Sequence, residues 1–92
     1  MSNLLDLYTQ LNCPYCEIMK QKLTDWGYQY NEINVQFSVE GKQFLKDQGH
    51  RVVPQVYFGS THVNKFDTMQ MTQERLEAAM YPSQDSGVEM FG

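Results

Sequence analysis

The sequence predicts an α/β fold, a four-stranded mixed sheet flanked by three helices, and three observations carry that reading. Segments with apolar residues at period two interleave with segments at period 3.6, in the order strand, helix, strand, helix, strand, strand, helix. A two-residue turn, Gly59-Ser60, is of the kind that joins neighbouring strands as a hairpin. Ninety-two residues, 41% of them hydrophobic and without internal repeat, suffice for one compact domain with one modest core.

Each element has its own local reason. Residues 4–9 form a short apolar run that stops at Gln10 and suits a buried strand. From 14 to 26 the apolar positions Tyr15, Ile18, Met19, Leu23 and Trp26 recur at helical spacing, with Glu17, Lys20, Gln21 and Lys22 assigned mostly to solvent. Gly27 ends that helix, because glycine readily takes the left-handed conformation that releases the chain. Residues 28–35 then alternate as a strand. Ser38 is the expected N-cap of a second helix running to about Gln48, with Phe44 and Leu45 inward, Gly49 as its stop, and Gly41 as a weak point. Residues 53–58 are the third strand, with Pro54 restricted to its beginning, and 61–63 the fourth. Asp67 is the expected cap of a last helix running to Met80, with Gln70 as a capping-box partner and Met69, Leu76, Ala79 and Met80 as its core face. The expected domain covers residues 1–81, and residues 82–92, which lack periodicity, are expected to form a flexible tail.

The charge narrows the range of partners. Seven basic and eleven acidic residues give a formal net charge of −4, which disfavours nucleic acid and anionic membrane and leaves proteins and small molecules. No apolar run approaches the roughly 20 residues that span a bilayer, and Met1-Ser2-Asn3-Leu4 has no basic segment leading into a signal-type stretch. The expected compartment is the cytoplasm, and the expected state is a monomer.

Chemistry concentrates at Cys13-Pro14-Tyr15-Cys16, the only two cysteines, placed between a strand and a helix. A thiol at a helix N-terminus meets unpaired N–H groups and the positive end of the macrodipole, both of which stabilise a thiolate. Cys13 is therefore the expected nucleophile, and Cys16, about one turn on, can attack a mixed disulfide on Cys13 and release the reduced substrate. Pro14 fits the first helical position, where its missing N–H costs nothing. A zinc site would need four ligands, and His50 and His62 lack the spacing to complete a Cys₂His₂ set, so no metal is expected. His50 reads as a solvent-exposed loop residue, and Tyr28, Tyr30, Tyr57 and Phe58 as strand packing.

Cys13-Pro14-Tyr15-Cys16 after a first strand, Val53-Pro54-Gln55 before the hairpin and Phe66-Asp67 before the last helix together resemble a dithiol glutaredoxin, over about residues 4–80. The resemblance implies a thioredoxin-like fold and a glutathione-dependent thiol–disulfide oxidoreductase, with Cys13 and Cys16 catalytic and glutathione as the reducing cosubstrate. It implies reduction of protein disulfides through both cysteines and of glutathione mixed disulfides through Cys13 alone. Ribonucleotide reductase is one protein substrate it names, and a host cytoplasm is the compartment if the chain is viral. Pro54 matches the family's cis-proline, Val53 the residue whose backbone pairs with the cysteinyl part of glutathione, and Tyr15, Phe66 and Asp67 positions at the tripeptide. A cis X–Pro bond would also expose the neighbouring N–H and C=O so that an extended peptide can pair with them, as in β-augmentation.

The sequence departs from that family in three places. Asn64-Lys65 stands where many glutaredoxins carry Gly-Gly, so side chains are expected to crowd the approach of glutathione. Gln10 fills the position of a frequent lysine, with Lys65 and Arg51 as candidate replacements for that cation. Val52 replaces the usual Thr, and Gln48-Gly49-His50-Arg51 is similar to small redoxins that take electrons from thioredoxin reductase. Two other readings therefore stand beside the first: a redoxin reduced by thioredoxin reductase, and a non-enzymatic carrier in which Cys13 and glutathione of two protomers hold a bridging 2Fe–2S cluster.

Overall fold

Six residues of β1 (Leu4–Thr9) occupy the middle of the sheet because both of its faces are covered: Leu5, Leu7 and Thr9 are fully buried on one, and Tyr8 is buried on the other. The computed structural model describes residues 4–64 and 67–81. Helix α1 (Pro14–Asp25) follows, then β2 (Gln29–Asn34), α2 (Val39–Asp47), β3 (Gln55–Phe58), β4 (Thr61–His62), a 3-10 turn (Thr68–Gln70) and α3 (Gln73–Met80). The strand order is β2-β1-β3-β4. β1 runs parallel to β2, with Leu7 opposite Glu32, and antiparallel to β3, with Leu7 opposite Val56, while β3 and β4 form the hairpin. The described residues thus form the four-stranded mixed sheet with three helices that the sequence predicts, in the thioredoxin-like arrangement that the resemblance implies.

The two faces are filled differently. Met19 and Leu23 of α1 and Leu76 and Met80 of α3 pack with Leu5, Leu7, Val56, Val63 and Met71. On the opposite face Leu45 of α2 packs with Tyr8 and Tyr57, bordered by Ile33, Val35, Phe44 and Val53. Gly41 is buried in α2, and a Cβ there would lie 2.6 Å from Ile33 Cγ2. Glycine is needed at this point for the close approach of α2 to β2, which is worth more than the loss of helix propensity.

Local signals set most boundaries. Ser38 caps α2, its hydroxyl accepting from Gly41 N at 3.0 Å, and Gly27 and Gly49 take positive φ just past α1 and α2. β3 begins at Gln55, two residues later than the pattern at Val53 implies, because Pro54 has no N–H to offer the ladder. Val63 lies past the end of β4 yet still donates to Val56 O at 3.0 Å.

The last helix corrects the sequence reading. Asp67 precedes only the 3-10 turn and its side chain makes no capping hydrogen bond, while Met71 is extended (φ −69, ψ 136) and breaks the run. α3 starts at Gln73, with Thr72 as its cap accepting from Arg75 N at 3.1 Å. The break is held by Lys22, expected at the solvent, whose ammonium donates to Thr68 O at 2.8 Å and Met71 O at 2.9 Å and so satisfies carbonyls that a continuous helix would have paired. Met69 is consequently 61% exposed, and Met71 enters the core in its place. Phe66, Lys65 and the tail from residue 82 lie outside the described residues.

Candidate functional site

Asn12, immediately before the Cys-x-x-Cys segment, has φ 57, a left-handed conformation that Asn tolerates better than most residues, and it turns the chain from β1 into α1. Cys13 is then the N-cap of α1, its Sγ accepting from Cys16 N at 3.1 Å, and its carbonyl accepts from Cys16 N and Glu17 N. The two cysteines are joined as a disulfide with their Cα atoms 5.2 Å apart. Cys13 is partly exposed, whereas Cys16 is 0% exposed. Only the first sulfur can be reached from outside, and the N–H that reaches it would stabilise a thiolate there once the disulfide is opened.

Among the described residues, one cleft takes part of its lining from Tyr15 of the Cys-Pro-Tyr-Cys segment and another from Cys13 and Pro14. The larger, of about 710 Å³, is lined by Tyr15, Val53, Pro54 and Asp67 among the sequence-predicted residues. The smaller, of about 560 Å³, holds Cys13 and Gln10 and shares Val53. Val53–Pro54 is a cis peptide. Tyr15 is 55% exposed at the mouth of the larger cleft. The predicted residues thus divide, with Gln10 and Cys13 at the smaller cleft, Tyr15, Pro54 and Asp67 at the larger, Val53 at both, and the fully buried Cys16 at neither.

Asn64, expected to crowd the approach of glutathione, lines the larger cleft with its polar atoms turned to the backbone. It is 8% exposed and folded inward, with Oδ1 accepting from Val56 N at 2.8 Å and Nδ2 donating to Pro54 O at 3.0 Å. Both of its polar atoms therefore clamp the backbone on either side of Gln55, and the amide does for the proline segment what the strand ladder cannot.

A second polar network escaped the sequence reading. His50, expected at the solvent, is half-buried, shares a 2.7 Å hydrogen bond with the Tyr57 hydroxyl and lies with its ring 4.6 Å from that of His62. His62 Nε2 donates to Gln55 Oε1 at 2.8 Å, and Gln55 Nε2 in turn donates to Val52 O at 3.0 Å. Burial holds the Tyr57 phenol above its ordinary value, keeping the hydroxyl protonated in this chain. The pairing of Tyr57 with His62 across the hairpin was the one available signal, since it puts both residues on the α2 side of the sheet.

Across the sheet, Thr9 Oγ1 donates to Glu32 Oε2 at 2.8 Å, and Lys20 bonds the same carboxylate at 2.8 Å. These two donors hold the Glu32 carboxyl below its usual range, the Lys20 bond contributing most. The cluster fixes the C-terminal end of β1 against α1, next to the loop that presents Cys13.

Comparison with known proteins matches this geometry to one family. Residues 5–63 match the family described as Glutaredoxin. A glutaredoxin of Neisseria meningitidis is 36% identical over 70 residues, 74% of this chain and 82% of the relative. Among solved structures, the thioredoxin-like protein BC3987 superposes with a TM-score of 0.64 at 26% identity, covering 82% of this chain and 97% of that one. The glutaredoxin-like NrdH-redoxin of Escherichia coli, described as having a thioredoxin-like activity profile, gives a TM-score of 0.60 at 29% identity over 64% of this chain and 78% of its own.

Proposed function

This chain belongs to the glutaredoxin family, as a dithiol thiol–disulfide oxidoreductase with the pair Cys13 and Cys16, and on that premise we propose that glutathione is its reductant and occupies the larger cleft. The observation that carries the proposal is the contrast between an accessible Cys13 at a helix N-terminus and a fully buried Cys16 beneath it. In this reading the Cys13 thiolate attacks a substrate disulfide and expels one substrate thiolate. Cys16, as its thiolate, then attacks the Cys13 sulfur of the mixed disulfide, releasing the second substrate thiolate and leaving the Cys13–Cys16 disulfide. Two molecules of glutathione reduce that disulfide and leave as glutathione disulfide. For a glutathionylated protein, Cys13 alone takes the glutathionyl group, expels the protein thiolate and passes the group to a second glutathione.

The extended tripeptide pairs with the Val53 backbone beside Pro54, its γ-glutamyl end lies toward Asp67 and the 3-10 turn, and Tyr15 covers its middle. The inward turn of Asn64 supports this reading, because its amide is engaged by Val56 N and Pro54 O instead of reaching into the cleft. A reducing cytoplasm is the compartment that suits a dithiol of this kind. A second reading, reduction by a thioredoxin reductase, is favoured by the likeness to NrdH-redoxin.

The division of labour is tested by Cys16→Ser. The expected outcome is retained turnover of a glutathionylated substrate with loss of protein-disulfide reduction, read with glutathione, glutathione reductase and NADPH. Equal loss of both activities would contradict it.

A further inference from the structure

The smaller cleft carries a charge that the rest of the chain does not predict. Of seven lysines and arginines in a chain of net charge −4, three line it: Lys42 and Lys46 from α2 and Arg51 from the loop that follows. Among the described residues no carboxylate lines it with them. Lys42 and Lys46 stand one turn apart on the same face of α2, a spacing at which like charges weaken a helix, so helix stability does not account for them. Elsewhere cations are used internally: Lys20 pairs with Glu17 and Glu32, and Lys22 holds the carbonyls of the 3-10 turn. The nearest acid in sequence, Asp47, instead accepts from Gln43 Nε2 at 2.9 Å. Among the described residues Lys42, Lys46 and Arg51 form no ion pair, and all three are exposed around Cys13.

We propose that this cleft docks an acidic segment of the protein substrate, an extended peptide carrying carboxylates beside the cysteine that Cys13 attacks. The inference rests on the reading of Cys13 as nucleophile and of the larger cleft as the glutathione site. Glutathione does not explain the cluster, since it has two carboxylates, and one belongs to the γ-glutamyl end at Asp67, which lines the larger cleft and not the smaller. Even with Arg51 engaged by the other, Lys42 and Lys46 are left over. Nucleic acid does not explain it either, because three cations on an acidic protein release too few counterions to hold it. Exposed pairs of this type contribute little each to affinity but steer encounter, and they do so in a salt-dependent way.

The test uses the whole chain, reduced beforehand, and two disulfide peptides of equal length that differ only in carrying Asp and Glu or Asn and Gln beside the cysteines. The acidic peptide is expected to be reduced about tenfold faster at low salt, a preference that shrinks at high salt. The double variant Lys42→Gln/Lys46→Gln is expected to lose most of that preference while turnover of the oxidised protein by glutathione is unchanged. Equal rates for the two peptides, or a preference that survives in the double variant, would overturn the proposal. Loss of glutathione turnover in that variant with the peptide preference intact would also overturn it, by assigning the cluster to the tripeptide and leaving the glutathione reading in place. Failure of the unmodified protein to turn over with glutathione would count against that reading and not against the docking cleft, since the peptide rates do not depend on the reductant.

Discussion

The face of the sheet that carries α1 and α3 is packed with Leu5, Leu7, Met19, Leu23, Val56, Val63, Leu76 and Met80, whereas the face that carries α2 is closed by Tyr8, Leu45 and Tyr57 with His50, His62 and Phe44 around them. Aliphatic packing has no preferred direction and stabilises in proportion to the area it hides. The second face is directional: Tyr57 meets Tyr8 and Phe44 edge-on, its hydroxyl is bound to His50, and Gln55 and Asn64 hold the backbone from Val52 to Val56. His50, Gln55, His62 and Asn64 of this second set line the larger cleft together with the proline segment, and among the described residues no aliphatic core residue of the first set does. One side of the molecule keeps the chain folded, and the other decides where the backbone beside Pro54 lies.

The comparison breaks if damage to the two sides has the same consequences. The largest effect is expected from Leu23→Ala on the aliphatic side, a loss of about 2–5 kcal/mol in unfolding free energy, with KM for a disulfide substrate unchanged well below the new melting temperature. Urea unfolding and steady-state kinetics on one preparation check both parts. Asn64→Ala is expected to cost less, about 1–3 kcal/mol, because it orphans Val56 N and Pro54 O, yet to raise KM for glutathione more than it lowers kcat. A variant that loses stability with KM untouched would show that Asn64 is only a structural clamp.

Alkaline pH sharpens the contrast with a smaller effect. Tyr28, on the aliphatic side, is pushed up to about 12 by burial and by its 2.6 Å hydrogen bond to Glu77, and Tyr57, on the other side, is raised by burial. A raised phenol keeps its proton longer in the folded chain than in the unfolded one. Its contribution is therefore fully present below the ordinary value of 10.0 and is lost as pH rises from there toward about 12 for Tyr28. Stability measured over that window is expected to fall, and Tyr28→Phe to flatten the fall. At the acid end the sign is opposite, since the Glu32 carboxyl is held low by Lys20 and Thr9, so its contribution is present above its ordinary 4.5 and is lost as pH falls below that.

These differences also explain what was legible in the sequence. The aliphatic side follows from local periodicity, so β1, α1 and their inward residues Leu5, Leu7, Met19 and Leu23 can be read directly. Cys13 and Cys16 are equally plain from residue type and spacing, whereas Pro54 as a cis-proline is legible mainly through the family resemblance. The start of α3 is not, since Asp67 and Thr72 are both good caps and the choice is made by Lys22, which is distant in sequence. His50 and Asn64 could not be placed for the same reason: each is defined by partners that only the hairpin and the proline segment bring within reach. The cationic cleft likewise depends on how α2 is laid beside Cys13, which no local pattern encodes.

The claim that glutathione is the reductant is tested most directly by presenting the oxidised chain, in parallel, with glutathione, glutathione reductase and NADPH, and with thioredoxin reductase and NADPH. The account predicts turnover with glutathione. Turnover with thioredoxin reductase alone would contradict it and assign the Cys13–Cys16 pair to the electron supply of a thioredoxin-like redoxin.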